Sequence, residues 1–280
     1  MANYQPVWTW APGSPIYRTP ENVGIPFGRD GYKILRMEMH YDNPHQASGK
    51  INSSGSRFIF VNSLRQHDAG PFVVGDPRIA LRTTPVGPGW SQWNFDCPRS
   101  CTQNYLNENI TIFKSFLHMH ESGERMVLNQ IRDGKVIKNS YVDNYDFSQA
   151  GGFDVPGKSF TVSPGDSFQT ICYYKSGEDS TRTFGLASDE EMCMVFFWYY
   201  PRKASFPGLC GAGLGGMIPG CGGDYNYTKL LSEREIGRTF GQQNKVCITP
   251  YDSEKSSATS SFEFGSAFSF LVAPLALAVF

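Results

Sequence analysis

The chain has 280 residues, with 25 basic and 26 acidic side chains, a formal net charge of −1 and 14% aromatic residues. That balance gives no electrostatic basis for binding nucleic acid or an anionic membrane surface, and the 18% charged residues are too few for a disordered chain. Aromatic residues, with Gly and Pro recurring between short apolar runs, point instead to an all-β domain with turns, long enough to bury one substantial core.

Residues 1–30 are rich in Pro, Gly and Trp without a helical or strand period and read as an irregular linker. They contain neither a basic n-region nor an apolar h-region, so no signal peptide is visible. Over 33–41, Leu35, Met37 and Met39 alternate with Arg36, Glu38 and His40. This predicts a strand with His40 on its polar face. Short strands are expected at 57–61 and 72–74. The longest spans 110–120, with Phe113, Ser115, Leu117 and Met119 on one face and Ile112, Lys114, Phe116, His118 and His120 on the other.

Residues 125–139 read as a hairpin, because Asp133-Gly134 supplies a turn with positive φ. A second turn-joined pair is expected at 159–162 and 168–174 around Pro164-Gly165. Residues 193–200 form an apolar run rich in aromatics, the pattern of a buried central strand. Strands at this spacing predict a two-sheet antiparallel sandwich over 31–205. Beyond it lies an extension, 206–255, whose first part, 206–227, holds eight glycines and two cysteines. Gly211, Gly213 and Gly216 fit GxGxxG, but no strand precedes them, no helix follows and Pro219 intervenes, so they do not form a nucleotide loop. A short helix is expected at 228–240, capped by Thr228. Residues 256–280 are a Ser-rich spacer and an apolar tail of 14 residues. That arrangement fits a GPI-attachment signal, with a tail anchor or an apolar end without function as the alternatives.

The chemistry is concentrated in Leu117-His118-Met119-His120 and Glu190-Glu191-Met192-Cys193. On a strand, residues i and i+2 share a face, so His118 and His120 can present both imidazoles to one ion. A thioether from Met192 as third ligand favours Cu(I) over zinc, since soft sulfur matches a soft, reducible metal. Alone, a His-x-His reads equally as two half-exposed polar positions, and a Met beside a Cys as core. His45 and His67 have no motif context and read as surface residues. The seven cysteines contain no CxxC pair and read as a disulfide framework. Asn52, Asn109 and Asn226 lie in sequons and are expected glycosylation sites on a secretory route.

The stretch from Ile34 to Pro44 containing Met39-His40-Tyr41, the Leu-His-Met-His strand, the Ser163-Pro164-Gly165-Asp166 turn and Glu-Met-Cys closing on Tyr199-Tyr200-Pro201 occur in that order. In order and wording, across about 31–202, they resemble the copper type II ascorbate-dependent monooxygenases, nearer to the dopamine β-hydroxylase side than to the peptide enzyme. The resemblance implies a jelly-roll-like sandwich. It also implies that His118, His120 and Met192 hold the copper that binds O2 and substrate, with Tyr199 near the substrate. The activity implied is hydroxylation of a C–H bond of a small organic substrate, with ascorbate as electron donor. His40 corresponds to one ligand of a second, electron-transfer copper, whose other two ligands are an adjacent His-His pair. The chain has five histidines and no such pair. Its expected organisation is therefore the second copper domain, beginning near the end of a first one that it lacks.

The same resemblance pairs Cys172 with Cys193, pinning the residue next to Met192, and Cys97 with Cys210. Cys101 is left to Cys221 or Cys247. Two departures bear on substrate. Peptide-hydroxylating relatives carry an arginine where this chain has Phe116, which disfavours peptides. Amine-hydroxylating relatives carry a glutamate where, reading on from Asp68-Ala69-Gly70, this chain has Val73. A secreted or cell-surface enzyme is the expectation, and a non-catalytic copper-binding or interaction module on the same sandwich is the alternative.

Overall fold

The computed structural model describes residues 7–29, 31–41, 46–76, 85–152, 159–210, 221, 224–230, 274–275 and 277–279. Two antiparallel sheets face each other. In chain order the principal elements are β1 Gly70–Gly75, β2 Trp90–Cys97, helix α1 Arg99–Tyr105, β3 Ile110–Met119, β4 Gly123–Arg132, β5 Lys135–Val142, β6 Phe160–Val162, β7 Ser167–Lys175, β8 Cys193–Tyr200 and β9 Asp224–Leu230. One sheet has the order β5-β4-β7-β2-β9, the other β6-β3-β8-β1. All-β architecture is thus as the sequence predicts.

Among the principal strands of the described residues, only β4 and β5 are joined as a hairpin within one sheet. Asp133 (φ 50°) and Gly134 (φ 75°) make its turn, as Asp-Gly permits. The other connections between principal strands pass from one sheet to the other, so consecutive strands wrap a shared core. Phe168 on β7 packs against Phe72 on β1 and Phe197 on β8, each pair with ring centroids 5.6 Å apart. All three rings are fully buried, and burial of each contributes about 1.5–3 kcal/mol. Disulfides join Cys172 of β7 to Cys193 of β8, Cys97 to Cys210, and Cys101 to Cys221. The third resolves the open choice for Cys101, and Cys247 lies outside the described residues. Asn52 and Asn109 are exposed; Asn226 lies in β9.

Several expectations are corrected. Over 33–41 only His40–Tyr41 is strand, paired with Pro274–Leu275. Ile34 and Met37 remain exposed, so the alternation there has no core to face. Residues 57–61 form no strand, and Ile59 and Phe60 lie in solvent. The segments around Pro164-Gly165 do not pair with each other. β6 pairs with β3, whereas β7 sits between β4 and β2. Asp166 explains this, since its carboxylate accepts from Ser163 N (2.8 Å), Arg132 Nε (2.7 Å) and Gln130 Nε2 (2.7 Å), pinning the crossing turn to β4.

Thr228 lies in β9 rather than capping a helix. The aromatic and β-branched side chains of Tyr225, Tyr227 and Thr228 suit a strand, and β2 offers an open edge. Residues 231–240 lie outside the described residues. In β3 the register shifts between the Lys114 and Ile112 pairings. Phe113 is therefore an extra residue, and Ile110 and Ile112 turn to the core with Leu117 instead of lying beside His118.

Candidate metal centre

β3 and β8 are neighbours in the middle of the four-stranded sheet, and their register orders the site. Met119 stands opposite Cys193, His118 opposite Met194, and Phe116 opposite Phe196, which in turn faces Val73 on β1. Opposite residues in an antiparallel pair share a face. Leu117, Met119, Cys193 and Val195 accordingly point into the sandwich, where all four are fully buried. Phe116, His118, Met194, Phe196 and Val73 line the outer face. His120 and Met192 are the next residues off the ends of the two strands, and strand parity puts both on the continuation of that face. Met192 is half-buried against the Val73 and Met194 pair, with Phe196 and Leu209.

The two imidazoles have centroids 5.1 Å apart and planes at 76°. Both side chains are buried, each 1% exposed. Phe116 stacks on His118 at 5.2 Å, and Phe147, in the short 3-10 turn after β5, meets His120 edge-on at 5.6 Å. Burial holds His120 down to about 4 and His118 well below the usual histidine range, with the neighbouring imidazole adding to the second effect. Both rings are neutral near pH 7 and keep a lone pair for a metal.

His120 Nδ1 lies 2.8 Å from the main-chain oxygen of Glu190. A carbonyl oxygen only accepts, so Nδ1 carries the proton and Nε2 is left as donor to a metal. His118 is different. Neither of its ring nitrogens has a hydrogen-bond partner in the structure, though both are buried. An unpaired buried imidazole is costly, and a cation bound at one nitrogen would satisfy that one of the two. Two neutral imidazoles and a thioether are the donor set of a soft, redox-active metal, and the residues fit copper.

The other predicted residues are placed as follows. Tyr199, predicted beside the substrate, is fully buried on the core face of β8, opposite to that of His118. Its hydroxyl accepts from Lys203 N at 3.2 Å and its ring packs against Phe206. It is not brought to the histidines. His40 pairs through its backbone with Leu275, and its side chain lies outside what the structure describes, as does His45. His67 is half-buried and stacks on Tyr200 at 5.5 Å, so it is not a free surface residue. The cluster of Cys97, Cys101 and Cys210 sulfurs is accounted for by disulfides and is not a metal site. Sequence reasoning missed Met194 and Glu191. Met194 was detectable, being two residues beyond Met192 and hence on its face.

The family model described as copper type II ascorbate-dependent monooxygenase, C-terminal domain, matches residues 68–210. The chain belongs to that family. Residues 3–48 match the model of the family's N-terminal domain. Tyramine beta-hydroxylase of Caenorhabditis briggsae is 33% identical over 198 residues, 69% of this chain and 34% of the relative. Human DBH-like monooxygenase protein 1 is 32% identical over 204 residues, 70% of this chain and 33% of the relative. Rat dopamine beta-hydroxylase is 33% identical over 202 residues, 69% and 32% respectively. The chain thus spans about one third of the length of these copper monooxygenase relatives.

Proposed function

We propose that this chain carries the substrate-side copper site of an ascorbate-dependent monooxygenase and that the reaction is hydroxylation of a C–H bond of a small organic substrate by O2. His118, His120 and Met192 would hold the metal. The single observation that supports this most is the pair of buried, unpartnered ring nitrogens of His118 beside a His120 whose Nδ1 carries the proton, leaving the lone pair on Nε2. When bound, copper supplies one-electron chemistry between Cu(I) and Cu(II), which the family uses with O2 and ascorbate.

The protein's own part is to orient and to exclude water. Phe116 and Phe147 pack the imidazoles, while the Glu190 carbonyl fixes one tautomer. Along β1, β3 and β8 the outer face next to His118 is formed by Phe116, Phe196, Val73 and Met194, and within the described residues of these strands the first charged side chain on it is Lys114. Such a face receives an aromatic or aliphatic body and has no partner for a carboxylate, which argues against peptides. The substrate is accordingly proposed as a neutral or amine-bearing aromatic, with any amine bound away from this face.

Three disulfides belong to an oxidising compartment, so a secreted or cell-surface location is proposed. Among the described residues no helix is long and apolar enough to cross a membrane. Attachment through 256–280 rests on the sequence alone. The test is anaerobic Cu(I) titration of the chain, followed by ascorbate and O2 with phenethylamine-like and neutral aromatic compounds. One tightly held Cu(I) and a hydroxylated product support the reading. No Cu(I) binding, or binding unchanged when His118 and His120 are both replaced, ends it.

A further inference from the structure

We propose that Glu191 is a positioning residue that holds the His120 side and the Met192 side of the site at a fixed separation. The inference rests on the copper reading above. Glu191 directly precedes Met192, and its side chain is fully buried. Its carboxylate accepts from His120 N at 3.3 Å, from Ser122 N at 2.8 Å and from Ser122 Oγ. Its own backbone is fixed, with N donating to Thr183 O and O accepting from Gly185 N, both at 2.9 Å. One side chain therefore grips the chain leaving β3 from the segment entering β8.

This grip is not needed to hold the two strands together. The β3–β8 ladder already does so, and the Cys172–Cys193 disulfide and the bond from Tyr174 OH to Met192 O (2.7 Å) separately tie the start of β8 to β7. What the ladder does not reach is His120, which lies one residue past its last pair, Met119 with Cys193. A buried carboxylate is costly to desolvate, and its nearest guanidinium nitrogen, Arg182 Nη1, stands 3.8 Å away. An apolar residue would fill that space at less cost. The carboxylate is explained by what it fixes: the main chain of His120, whose ring is also tied to the same segment through the Glu190 carbonyl. Groups that orient a ligand in this way typically alter metal affinity about 10- to 100-fold when removed.

The experiment compares Glu191→Ala and Glu191→Gln in the full chain by competitive Cu(I) titration and by X-ray absorption of the Cu(I) form. In Glu191→Ala, Cu(I) affinity should fall about 10- to 100-fold, with a weakened copper–sulfur component. Glu191→Gln, which keeps one acceptor oxygen, should recover most of both. The control is Asp166→Asn, at another fully buried carboxylate, which lies by the start of β3. It should lower stability and leave affinity and sulfur scattering unchanged.

A folded Glu191→Ala with unchanged affinity and unchanged copper–sulfur component overturns the proposal, and so does an equal loss in Asp166→Asn. If the alanine variant does not fold, Ser122→Ala removes one of the three bonds and should give a smaller loss in the same two measurements. No change in that variant also overturns the idea. Absence of Cu(I) binding by the unmodified chain removes the copper reading itself, a result distinct from loss of the grip alone.

Discussion

His120 Nδ1 and the main-chain oxygen of Glu190 are 2.8 Å apart although 70 residues separate them in sequence. The contact fixes which nitrogen of His120 carries the proton, while burial of the ring outweighs the opposing pull of that carbonyl and favours the neutral form. That choice has a consequence for acid stability. A histidine held down to about 4 in the fold and near 6.5 when unfolded contributes stability that is complete above pH 6.5 and is lost as pH falls towards 4. The metal-free chain should therefore lose roughly 3 kcal/mol over that window from His120 alone, with His118 adding in the same direction. Chemical denaturation at pH 7 and pH 4.5 measures it. A variant with both histidines replaced by Asn should show a clearly shallower fall, because the carboxylates are common to both proteins. Equal slopes would show that the rings are not buried neutral.

The two methionines of the outer face make separate predictions. Met192 continues the face beside His120, and Met194 stands opposite His118. Met192→Ile should weaken Cu(I) on the order of tenfold or more and change Cu(II) little, since only the soft ion gains much from a thioether. Met194→Ile should have a smaller effect on Cu(I) and act instead on the KM of an apolar substrate. Reversal of the two, seen in Cu(I) titrations, would move the sulfur ligand to Met194.

The site was legible in the sequence where strand alternation holds without interruption. Leu117-His118-Met119-His120 shows its two faces directly, and so do the buried positions of 193–200. The reading failed where a long-range partner decides the outcome. Phe113 is an extra residue only because of how β3 pairs with β8, so uninterrupted alternation puts Ile112 on the wrong face. The alternation of 33–41 is real, but no second layer covers it. Pro164-Gly165 marks a turn correctly, yet nothing local says that the turn crosses between sheets. Trp90–Cys97 carries plain alternation, burying Ser91, Trp93, Phe95 and Cys97, and was absent from the expectation. Tyr199 followed from motif likeness, and parity along β8 places it on the opposite face from His118. Cys172 with Cys193 came from the resemblance and is present.

That disulfide supports a further measurement. It joins β7 to β8 directly after Met192 across a separation of 21 residues. Replacing both cysteines by Ala should cost about 3 kcal/mol, the loop-closure value for a ring of this size, read as a lower denaturation midpoint with a nearly unchanged slope. The same variant should bind Cu(I) more weakly, because Met192 loses its fixed neighbour. Full stability with weakened copper binding would mean the bridge serves the site alone.

The last prediction concerns turnover. Hydroxylation by O2 consumes two electrons, and a single copper held by His118, His120 and Met192 stores one. The family resemblance assigns the other to a second copper, for which His40 corresponds to one ligand. The 280 residues contain five histidines and no adjacent pair to complete it. This chain, reduced with ascorbate and exposed to O2 and an aromatic substrate, should therefore bind one copper tightly and form little product, with no repeated turnover, whatever the ascorbate excess. Supplying an N-terminal domain of the family that carries the histidine pair should restore repeated turnover. Product analysis by mass spectrometry with 18O2, alongside copper quantitation, decides the matter. Sustained hydroxylation by the isolated chain would show that ascorbate can deliver both electrons directly to the site between β3 and β8, and that the second copper is dispensable here.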